Sequence, residues 1–399
     1  MMPFAFNKIK NLNLYIMSFK EWIVLRVSEL LLLIRVFVAY IVALFCPLKK
    51  SLWLISERGR EARDNGYFFY KWIKQHHPEI PVKYIISKTS NDYSRIKPED
   101  VVEFNSFQHL LYLWRAKYLI STHVMGFTPN HVFFTKLDTR LHLFRHKKII
   151  FLQHGIIKDR LEGLFHGNIN VNLFVTGSNI EYHYVNETFG FPEGIVQYTG
   201  LCRYDSLYKF ETKRQILIMP TFRMYVKKDC FDTSDYFNAY KDLLTNADFH
   251  SIIEKNDLQV VFYPHYEFQS KISLFKSLPI TDRIIIADMK YDVQQLLKES
   301  LLLITDYSSV FFDMMYMNKP VIFYQFDENQ YRKSHYKKGY LNYQDVGPVT
   351  CNISALLSTL ENYISTGFQV GEYQKYYNRT FLKRDTNNCR RVYEAVLNS

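Results

Sequence analysis

Short apolar runs alternate with longer amphipathic stretches along most of this chain after residue 50. This alternation is typical of an α/β protein, in which parallel strands buried on both faces are connected by helices. Glycine, proline and small polar residues separate the runs, as they do at the ends of strands. The predicted strands are Leu52–Ile55, Val82–Ile86, Tyr118–Ser121, Ile149–Leu152, Val171–Thr176, Val196–Thr199, Ile216–Met219, Val260–Tyr263, Ile284–Ala287, Leu301–Thr305 and Val321–Tyr324.

The clearest unit of this pattern lies at residues 301–331. The apolar strand Leu301–Thr305 is followed by a polar loop and then by a predicted helix over Val310–Met317. Pro320 ends that helix, because proline cannot continue it, and Val321–Tyr324 begins the next parallel strand. The unit therefore predicts a helix N-terminus at the carboxyl edge of a sheet.

Ser308 and Ser309 precede that helix, and Asp313 lies about one turn inside it. Free backbone N–H groups and the positive end of the helix dipole favour a bound phosphate, and the two serine hydroxyls add donors. The Asp313 carboxylate is placed to accept hydrogen bonds from a ribose, as acidic residues do in other nucleotide-binding folds. An ordinary N-cap with a solvated aspartate is the alternative interpretation.

Polar and glycine-containing segments directly follow several other predicted strands. In doubly wound sheets, ligands bind beyond the carboxyl ends of the strands, so these segments are expected to share one edge. The pattern predicts two Rossmann-like domains that face each other across a cleft, with a nucleotide and phosphate site between them. The segments are Gln153-His154-Gly155, Gly177-Ser178, Gly200-Leu201-Cys202-Arg203-Tyr204-Asp205, Pro220-Thr221-Phe222-Arg223, Pro264-His265 and Asp306.

Composition narrows this interpretation. The 399 residues are 48% hydrophobic and 22% charged, a globular composition long enough for two domains. The formal charge of +11 favours a partner that carries phosphates or an anionic membrane surface. The five cysteines are scattered and odd in number, which argues against disulfides or a zinc site and indicates a reducing compartment.

Residues 22–46 are the most apolar part of the chain, but Arg26, Glu29 and Arg35 interrupt them. The longest uninterrupted apolar run, Val36–Cys46, is shorter than the roughly 20 residues that cross a bilayer core. We therefore expect helices that lie in the interface of an anionic membrane. Packing on the protein's own core and a single tilted span are the alternatives. The basic residues expected near the headgroups are Lys8, Lys10, Lys20, Lys49 and Lys50.

Three segments are predicted from these patterns. Residues 1–50 form a membrane-associating helical segment, and polar residues around Tyr208 to Arg214 mark a later boundary. One Rossmann-like domain is expected over residues 51–210, and a second, C-terminal Rossmann-like domain is expected over residues 211–399.

The segments that follow the strands resemble the motifs of the CDP-glycerol glycerophosphotransferase family, the teichoic acid polymerases and primases. The resemblance covers roughly residues 140–395 and lies in the order and spacing of the motifs. Gln153 and Phe222 replace tryptophans of the family pattern, and Pro264 precedes its histidine, which resembles members that build capsule or related surface polymers. The matching segments are Gln153-His154-Gly155, Gly200 to Asp205, Pro220 to Arg223, Pro264-His265, Thr305 to Ser309 with Asp313, and Lys319 to Tyr324.

The resemblance implies a GT-B type fold, with an N-terminal acceptor domain over residues 51–210 and a C-terminal nucleotide-donor domain over residues 211–399. It also implies transfer of a polyol phosphate, glycerol phosphate foremost, from CDP-glycerol or CDP-ribitol. The acceptor would be a hydroxyl group of a lipid-linked or polysaccharide polymer, CMP would be released, and the enzyme would be peripheral at the cytoplasmic face of the cell membrane. In this scheme His154 is the general base, and His265 holds the pyrophosphate or protonates the departing phosphate. The donor phosphates are assigned to Arg203, Thr221, Arg223, Ser308 and Ser309, and the ribose and nucleotide to Asp306 and Asp313.

Other interpretations stay open beside this one. Either arginine could instead pair with a carboxylate inside the fold. A glycosyltransferase of the same architecture that uses a nucleotide sugar, and an inactive membrane-bound scaffold that binds nucleotide or polymer, are the alternative functions. No metal or other cofactor is expected, because the sequence has no Asp-x-Asp and a helix dipole with histidine and arginine can supply positive charge. Nucleic acid is not an expected partner, because no nucleic-acid-binding module occurs.

Overall fold

The computed structural model of the protein describes the backbone of residues 19–45 and 51–399. Its contacts group the chain into two compact units, Met1–Phe151 and Leu152–Ser399. The strands are β1 Trp53–Ser56, β2 Val82–Ile86, β3 Val101–Glu103, β4 Tyr118–Ser121, β5 Lys148–Phe151, β6 Asp159–Arg160, β7 Leu173–Thr176, β8 Val196–Tyr198, β9 Gln215–Ile218, β10 Gln259–Phe262, β11 Ile284–Ile286, β12 Leu302–Thr305, β13 Val321–Tyr324, β14 Lys337–Lys338 and β15 Val349–Thr350. The helices are α1 Phe19–Phe45, α2 Asn65–His76, α3 Phe107–Arg115, α4 His131–Leu141, α5 Asn179–Thr188, α6 Asp235–Leu244, α7 Ala247–Lys255, α8 Ile272–Lys276, α9 Val293–Glu299, α10 Phe311–Tyr316, α11 Glu328–Ser334, α12 Ile353–Ser365, α13 Gln374–Thr380 and α14 Asn388–Leu397.

The first unit contains parallel strands in the order β3-β2-β1-β4-β5. Strand β1 lies in the middle, because it pairs in parallel with both β2 and β4. All residues of β1 and β4 are buried. Their unbroken apolar sequences thus match strands that are covered on both faces.

Helix α1 is a single helix of 27 residues that packs on one side against α3. Val36 and Ala39 are buried on that side. The Trp114 indole donates to the backbone oxygen of Val36 at 3.1 Å, and Arg35 Nη2 donates to the backbone oxygen of Asn105 at 2.7 Å. The other sides of α1 expose large apolar side chains, so most of its apolar surface is not covered by the described part of the chain.

The segment Val27–Phe45 is long and apolar enough to cross a membrane. Glu29 and Arg35 lie inside this segment without ending the helix, so a helix in the membrane interface and a single tilted span both stay predictions. Length and apolar composition are shared by membrane spans, signal sequences and buried core helices. Lys8, Lys10, Lys49 and Lys50 lie outside the described residues, as does the side chain of Lys20.

The second unit is built on a six-stranded parallel sheet in the order β11-β10-β9-β12-β13-β15. Apolar side chains of α6, α7 and α12 pack on this sheet and form the main core with the strand residues. Strands β7 and β8 pair in parallel, whereas β6 and β14 form a separate two-stranded antiparallel ribbon. The predicted α/β fold with parallel sheets is confirmed.

Every predicted strand is present, and each end lies within two residues of its predicted position. The strands that sequence analysis missed lack the apolar run on which the prediction depended. Strands β3 and β15 are only three and two residues long, and β6 and β14 consist of charged residues. The predicted domain boundary at residues 210 and 211 stays a prediction.

Candidate active site

The loop after β5 carries His154. Gln153 has a left-handed backbone with φ of +59°, which turns the chain just before the histidine. Its buried side chain donates to the backbone oxygen of Val175 and, at 3.2 Å, to Glu181 Oε1. His154 itself is exposed, and its backbone oxygen accepts a hydrogen bond from Arg203 Nη1 at 2.9 Å. The buried neighbour therefore fixes the backbone and leaves the imidazole at the surface.

The buried carboxylate of Glu181 holds the same loop. It accepts hydrogen bonds from the backbone N–H groups of Ile157 and Gly177, both at 2.6 Å, besides the Gln153 amide. Burial raises the pKa of Glu181 to about 7, although these donors act in the opposite direction. Sequence analysis missed this residue. The spacing Ser178-x-x-Glu181 is a local signal only for a helix N-terminus, where Ser178 does cap α5.

Arg203 and Asp313 form a buried, bidentate ion pair. Arg203 Nε donates to Asp313 Oδ2 at 2.9 Å, and Nη2 donates to Oδ1 at 2.8 Å. Arg203 follows β8 and Asp313 lies in α10, so the pair joins segments that are distant in sequence. This is the internal pairing that sequence analysis kept as the alternative for arginine. The predicted contacts of Arg203 with phosphate and of Asp313 with ribose stay predictions.

Ser309 lies beside the His154 loop. A Cβ atom added to Gly155 would come within 3.1 Å of Ser309 Oγ. Ser308 Oγ accepts a hydrogen bond from the backbone N–H of Val310 at 3.4 Å. Helix α10 has six residues, so the helix predicted over Val310–Met317 is one residue shorter at each end. Both serines precede it, and donor phosphate binding at their hydroxyls stays a prediction.

A second buried ion-pair cluster surrounds Arg223. Arg223 Nη1 lies 2.8 Å from Asp306 Oδ2, and Nε lies 2.6 Å from Asp327 Oδ2. Asp306 Oδ1 also accepts from the backbone N–H of Thr221 at 2.9 Å, and the Thr221 backbone oxygen accepts from Arg223 Nη1 at 2.8 Å. Burial alone would lower the pKa of Arg223, but Asp306 and Asp327 raise it above its usual value. The cluster therefore ties the loop after β9 to the loop after β12.

Asp306 and Arg223 have side chains that are completely buried. The Tyr240 hydroxyl donates to Asp306 Oδ2 at 3.2 Å, in addition to the contacts with Arg223 and Thr221. This geometry gives both side chains an internal, positioning role. The predicted contacts of Asp306 with the nucleotide, and of Arg223 and Thr221 with phosphate, stay predictions.

Two histidines lie against Phe222. The ring centroid of His265 is 4.9 Å from that of Phe222, and the ring centroid of His335 is 5.4 Å from it. His265 Nδ1 accepts from the backbone N–H of Glu267 at 3.3 Å, and His335 Nε2 accepts from that of Met224 at 3.0 Å. Burial lowers the pKa of each histidine to about 4. Each imidazole is therefore neutral near pH 7, and its proton is assigned to the other ring nitrogen.

Sequence analysis assigned no role to His335. The structure stacks its ring on Tyr331 at 4.0 Å, and Tyr331 stacks on Tyr307 at 3.7 Å. Tyr307 belongs to the loop that carries Ser308 and Ser309. A column of aromatic rings thus connects His335 to the predicted phosphate site, a connection that only the tertiary fold creates.

A model of the family described as "CDP-Glycerol:Poly(glycerophosphate) glycerophosphotransferase" matches residues 38–398 of this chain. The chain belongs to this family. The "Minor teichoic acid biosynthesis protein GgaB" of Bacillus subtilis is 32% identical to it over 367 residues, which cover 88% of this chain and 40% of that protein. The "Teichoic acid poly(ribitol-phosphate) polymerase" of Bacillus spizizenii is 25% identical over 250 residues, covering 56% of this chain and 37% of that protein.

The chain spans about two fifths of the length of these curated relatives. Its fold is similar to a solved structure of the "Wall Teichoic Acid Polymerase TagF". The TM-score is 0.66 at 20% sequence identity, and the likeness covers 94% of this chain and 95% of that one. The family that the motifs resemble is thus confirmed by comparison with the chain as a whole.

In this glycerophosphotransferase family member, the predicted site residues fall into two groups in the second unit. His154, Arg203, Asp313 and Ser309 form one group of neighbouring segments. The other group is built around Arg223, with His265 nearby across Phe222. The loop from Asp306 to Ser309 contributes to both groups. Among the side chains that the structure describes, no group of three or more His, Cys, Asp or Glu could hold a metal ion.

Proposed function

We propose that this chain transfers a polyol phosphate, glycerol phosphate foremost, from a CDP-activated donor to a hydroxyl group of a teichoic-acid-like or capsular surface polymer, with release of CMP. One observation carries the proposal: the His154 loop, the Arg203–Asp313 pair and Ser309 are neighbours in a glycerophosphotransferase family member. The description of the family supports a CDP-glycerol donor, and the names of the relatives support a teichoic acid acceptor.

At the phosphorus atom, the transfer forms one bond and breaks one bond. The acceptor oxygen attacks the phosphorus that carries the polyol, and the bond from this phosphorus to the bridging oxygen breaks. The bridging oxygen leaves with the bonding electrons as part of CMP. His154 accepts the proton of the attacking hydroxyl, a task that suits an imidazole at the surface.

Positioning accounts for the other residues of the site. Ser308 and Ser309 donate their hydroxyls to the donor phosphates as charge moves towards the leaving group. Arg203 acts through the His154 backbone and Asp313, so we assign it to positioning of the base. His265 donates a hydrogen bond to the pyrophosphate or protonates the departing phosphate, because the negative charge of a bound phosphate opposes the effect of burial on the pKa of this histidine.

Release of CMP by the purified protein tests the proposal. The protein is given CDP-glycerol or, separately, CDP-ribitol, with lipid-linked and polysaccharide acceptors, and acceptor-dependent CMP is expected from one of them. His154→Ala should lower this rate by at least about 100-fold while CDP-glycerol binding stays close to wild type. His183→Ala, which removes another exposed histidine, is the matched control. A normal rate for His154→Ala removes it from the role of base, and turnover of a nucleotide sugar without CMP release favours the glycosyltransferase alternative.

Donor binding tests the phosphate site separately. Ser309→Ala should raise the dissociation constant for CDP-glycerol by roughly tenfold, because one hydrogen bond to a charged group is lost. Titration calorimetry of the protein without acceptor measures this change. Ser273→Ala, at an exposed position of α8, should leave the constant unchanged. An unchanged constant for Ser309→Ala contradicts the proposed contact.

We further propose that α1 holds the protein peripherally at the cytoplasmic face of the cell membrane. The apolar side chains of α1 that face away from α3 support this placement, as does the basic composition of residues 1–50. Phe37, Ile41 and Leu44 are exposed, so their joint substitution by serine leaves the α3 contact in place. Co-sedimentation with anionic lipid vesicles should fall, and equal binding of variant and wild type contradicts the placement.

A further inference from the structure

The antiparallel ribbon of β6 and β14 stands apart from the parallel sheets of the protein. Lys337 lies opposite Arg160 across this ribbon, and Lys338 lies opposite Asp159. Its packing is close, because a Cβ atom added to Gly339 would come within 2.4 Å of the Lys158 backbone oxygen. A side chain at that glycine would force the two strands apart. The ribbon is therefore a defined element and not an accidental approach of two loops.

We define the basic ribbon as residues 158–162 and 332–338. These residues include six Lys or Arg side chains and two acidic ones, a net charge of +4. Opposing like charges on neighbouring strands destabilise a ribbon unless anions neutralise them. The basic side chains are Lys158, Arg160, Arg332, Lys333, Lys337 and Lys338, and the acidic ones are Asp159 and Glu162.

The two acidic side chains are each shared between two cations. Glu162 Oε1 lies 3.2 Å from both Arg160 Nε and Lys337 Nζ. Lys337 and Arg160 lower the pKa of Glu162, which reflects the positive surroundings of an exposed carboxylate. Lys337 remains 75% exposed despite this contact. The ribbon thus keeps an excess of positive charge that its own carboxylates do not neutralise.

Asp159 is shared by Lys158 and, at 3.3 Å, by Arg332. Lys333 and Lys338 are exposed and form no ion pair with any residue in the described part of the chain. The ammonium groups of these two lysines are therefore exposed to solvent at the edge of the ribbon. Lysine ammonium groups and arginine guanidinium groups are both suited to phosphate oxygens.

The basic ribbon is continuous with the candidate active site along both of its strands. β6 begins five residues after His154, and β14 begins two residues after His335. Arg332 also lies over the Tyr307 ring at 6.0 Å, next to the serines of the phosphate site. An extended anionic chain on the ribbon would therefore lie on the loop that carries the proposed base.

We propose that the basic ribbon binds the phosphodiester backbone of the anionic acceptor polymer and brings the terminal hydroxyl of that polymer to His154. This inference rests on the proposed function, which supplies the identity of the acceptor. The charge of the ribbon is complementary to a polymer with one negative charge in each repeat. The contact is electrostatic and largely exposed, so it weakens as salt is added.

Binding of fluorescently labelled poly(glycerol phosphate) and poly(ribitol phosphate) to the full chain, without a donor, tests the inference. In the triple variant Lys333→Gln, Lys337→Gln, Lys338→Gln, affinity for the polymer should fall by roughly tenfold, as the loss of three exposed charge contacts predicts. The variant should also show a weaker dependence of affinity on salt. The control variant Lys209→Gln, Lys255→Gln, Lys290→Gln removes the same charge from exposed positions elsewhere and should bind as wild type does.

Other outcomes separate this inference from the proposed function. If the ribbon variant binds polymer as well as wild type, the inference is overturned, even where CMP release is normal. If wild type releases no CMP but polymer binding still depends on the ribbon, the proposed function fails and the binding surface stands. Loss of binding to phosphatidylglycerol vesicles with unchanged polymer binding assigns the ribbon to the membrane and overturns the inference. Replacement of the same lysines by arginine should keep polymer affinity within about twofold of wild type.

Discussion

Arg203 and Arg223 were predicted to do the same work, yet the structure places them in different surroundings. Each forms a buried ion pair with an aspartate that follows β12, Asp313 for one and Asp306 for the other. The Arg203 side chain keeps 8% of its surface exposed and also reaches the His154 backbone. The Arg223 side chain has no exposed surface. The first cluster therefore borders the surface of the site, whereas the second lies wholly inside the protein.

The difference shows that an arginine in a motif can have either of two roles: it can support the fold, or it can position a residue of the candidate site. A buried ion pair is costly to break, because removal of one partner leaves the other as an uncompensated charge. The Arg223 cluster is therefore expected to contribute chiefly to the order of the fold. The Arg203 pair connects His154 to α10, so a small change in its geometry is expected to appear first in the chemistry. Substitution of Arg223 should therefore lower mainly the stability of the fold, whereas substitution of Arg203 should lower mainly the rate of transfer.

The largest effect is expected for Arg223→Met. This change leaves Asp306 and Asp327 buried without a cation, and we expect the free energy of unfolding to fall by about 3–5 kcal/mol. Urea unfolding measures the loss. Arg283→Met, which removes a partly exposed arginine paired with the exposed Asp257 at 2.8 Å, should cost less than about 1 kcal/mol. A loss as small as that of the control would show that the Arg223 cluster does not hold the two loops together.

For Arg203→Lys we expect a smaller loss of stability than for Arg223→Met and a larger loss of the transfer rate. Lysine keeps the positive charge but cannot bond to both Asp313 oxygens and to the His154 backbone at once. We expect kcat to fall by roughly 100-fold because the base is displaced, with little change in CDP-glycerol affinity. Steady-state transfer and donor titration measure the two quantities. Arg214→Lys, at an arginine that also bonds to backbone oxygens, is the control. Equal losses in donor affinity and rate would instead favour direct contact of Arg203 with the donor.

The smallest effect is expected from His335, beside the Arg223 cluster. Its pKa is about 4 in the folded protein and near 6.5 in the unfolded chain. Between these values the unfolded chain binds the proton more tightly, so this histidine lowers the free energy of unfolding as the pH falls from about 6.5 to about 4. The two pKa values alone would make the stability difference between wild type and His335→Asn shrink by about 2 kcal/mol from pH 7.5 to pH 5. Solvent screening at this half-buried ring reduces the expected change to about 1 kcal/mol.

Urea unfolding of both proteins at the two pH values measures this contribution. Glu57 and Glu181, whose pKa values burial raises to about 8 and about 7, act in the opposite sense. They are present in both proteins, so their contribution cancels in the difference. A stability difference that stays constant with pH would place His335 in contact with solvent.

Much of the fold was predictable because buried parallel strands have a strong local pattern. Tyr118–Ser121 and Val321–Tyr324 have the predicted bounds, and apolar runs also located the remaining long strands. The positions of the site loops followed from the same pattern, since ligand-binding segments follow strands at the carboxyl edge. His154, Arg203 and Ser309 could therefore be singled out as candidates from their place after strands, and their roles stay predictions.

The partners of these residues could not be predicted in the same way. Glu181 and Asp327 interact with loops that are far away in sequence, so no local spacing reveals them. His335 depends on a stack of rings that forms only in the folded protein. The charged strands β6 and β14 lack an apolar run. Long-range contacts and polar strands are thus the features that the sequence pattern did not contain.

The packing around Gly155 shows that the residue type at one position can depend on a contact that forms only in the folded protein. Its φ is not positive, so an alanine could adopt the same backbone without strain. The constraint on a larger side chain is clearance, because a methyl group there would lie 3.1 Å from the Ser309 hydroxyl, which would have to move by a few tenths of an ångström. The dipeptide His154-Gly155 therefore combines the proposed base with a glycine that Ser309 approaches closely. Ser309 lies more than 150 residues further along the chain, so the glycine at position 155 reflects a close approach between two loops that are distant in sequence.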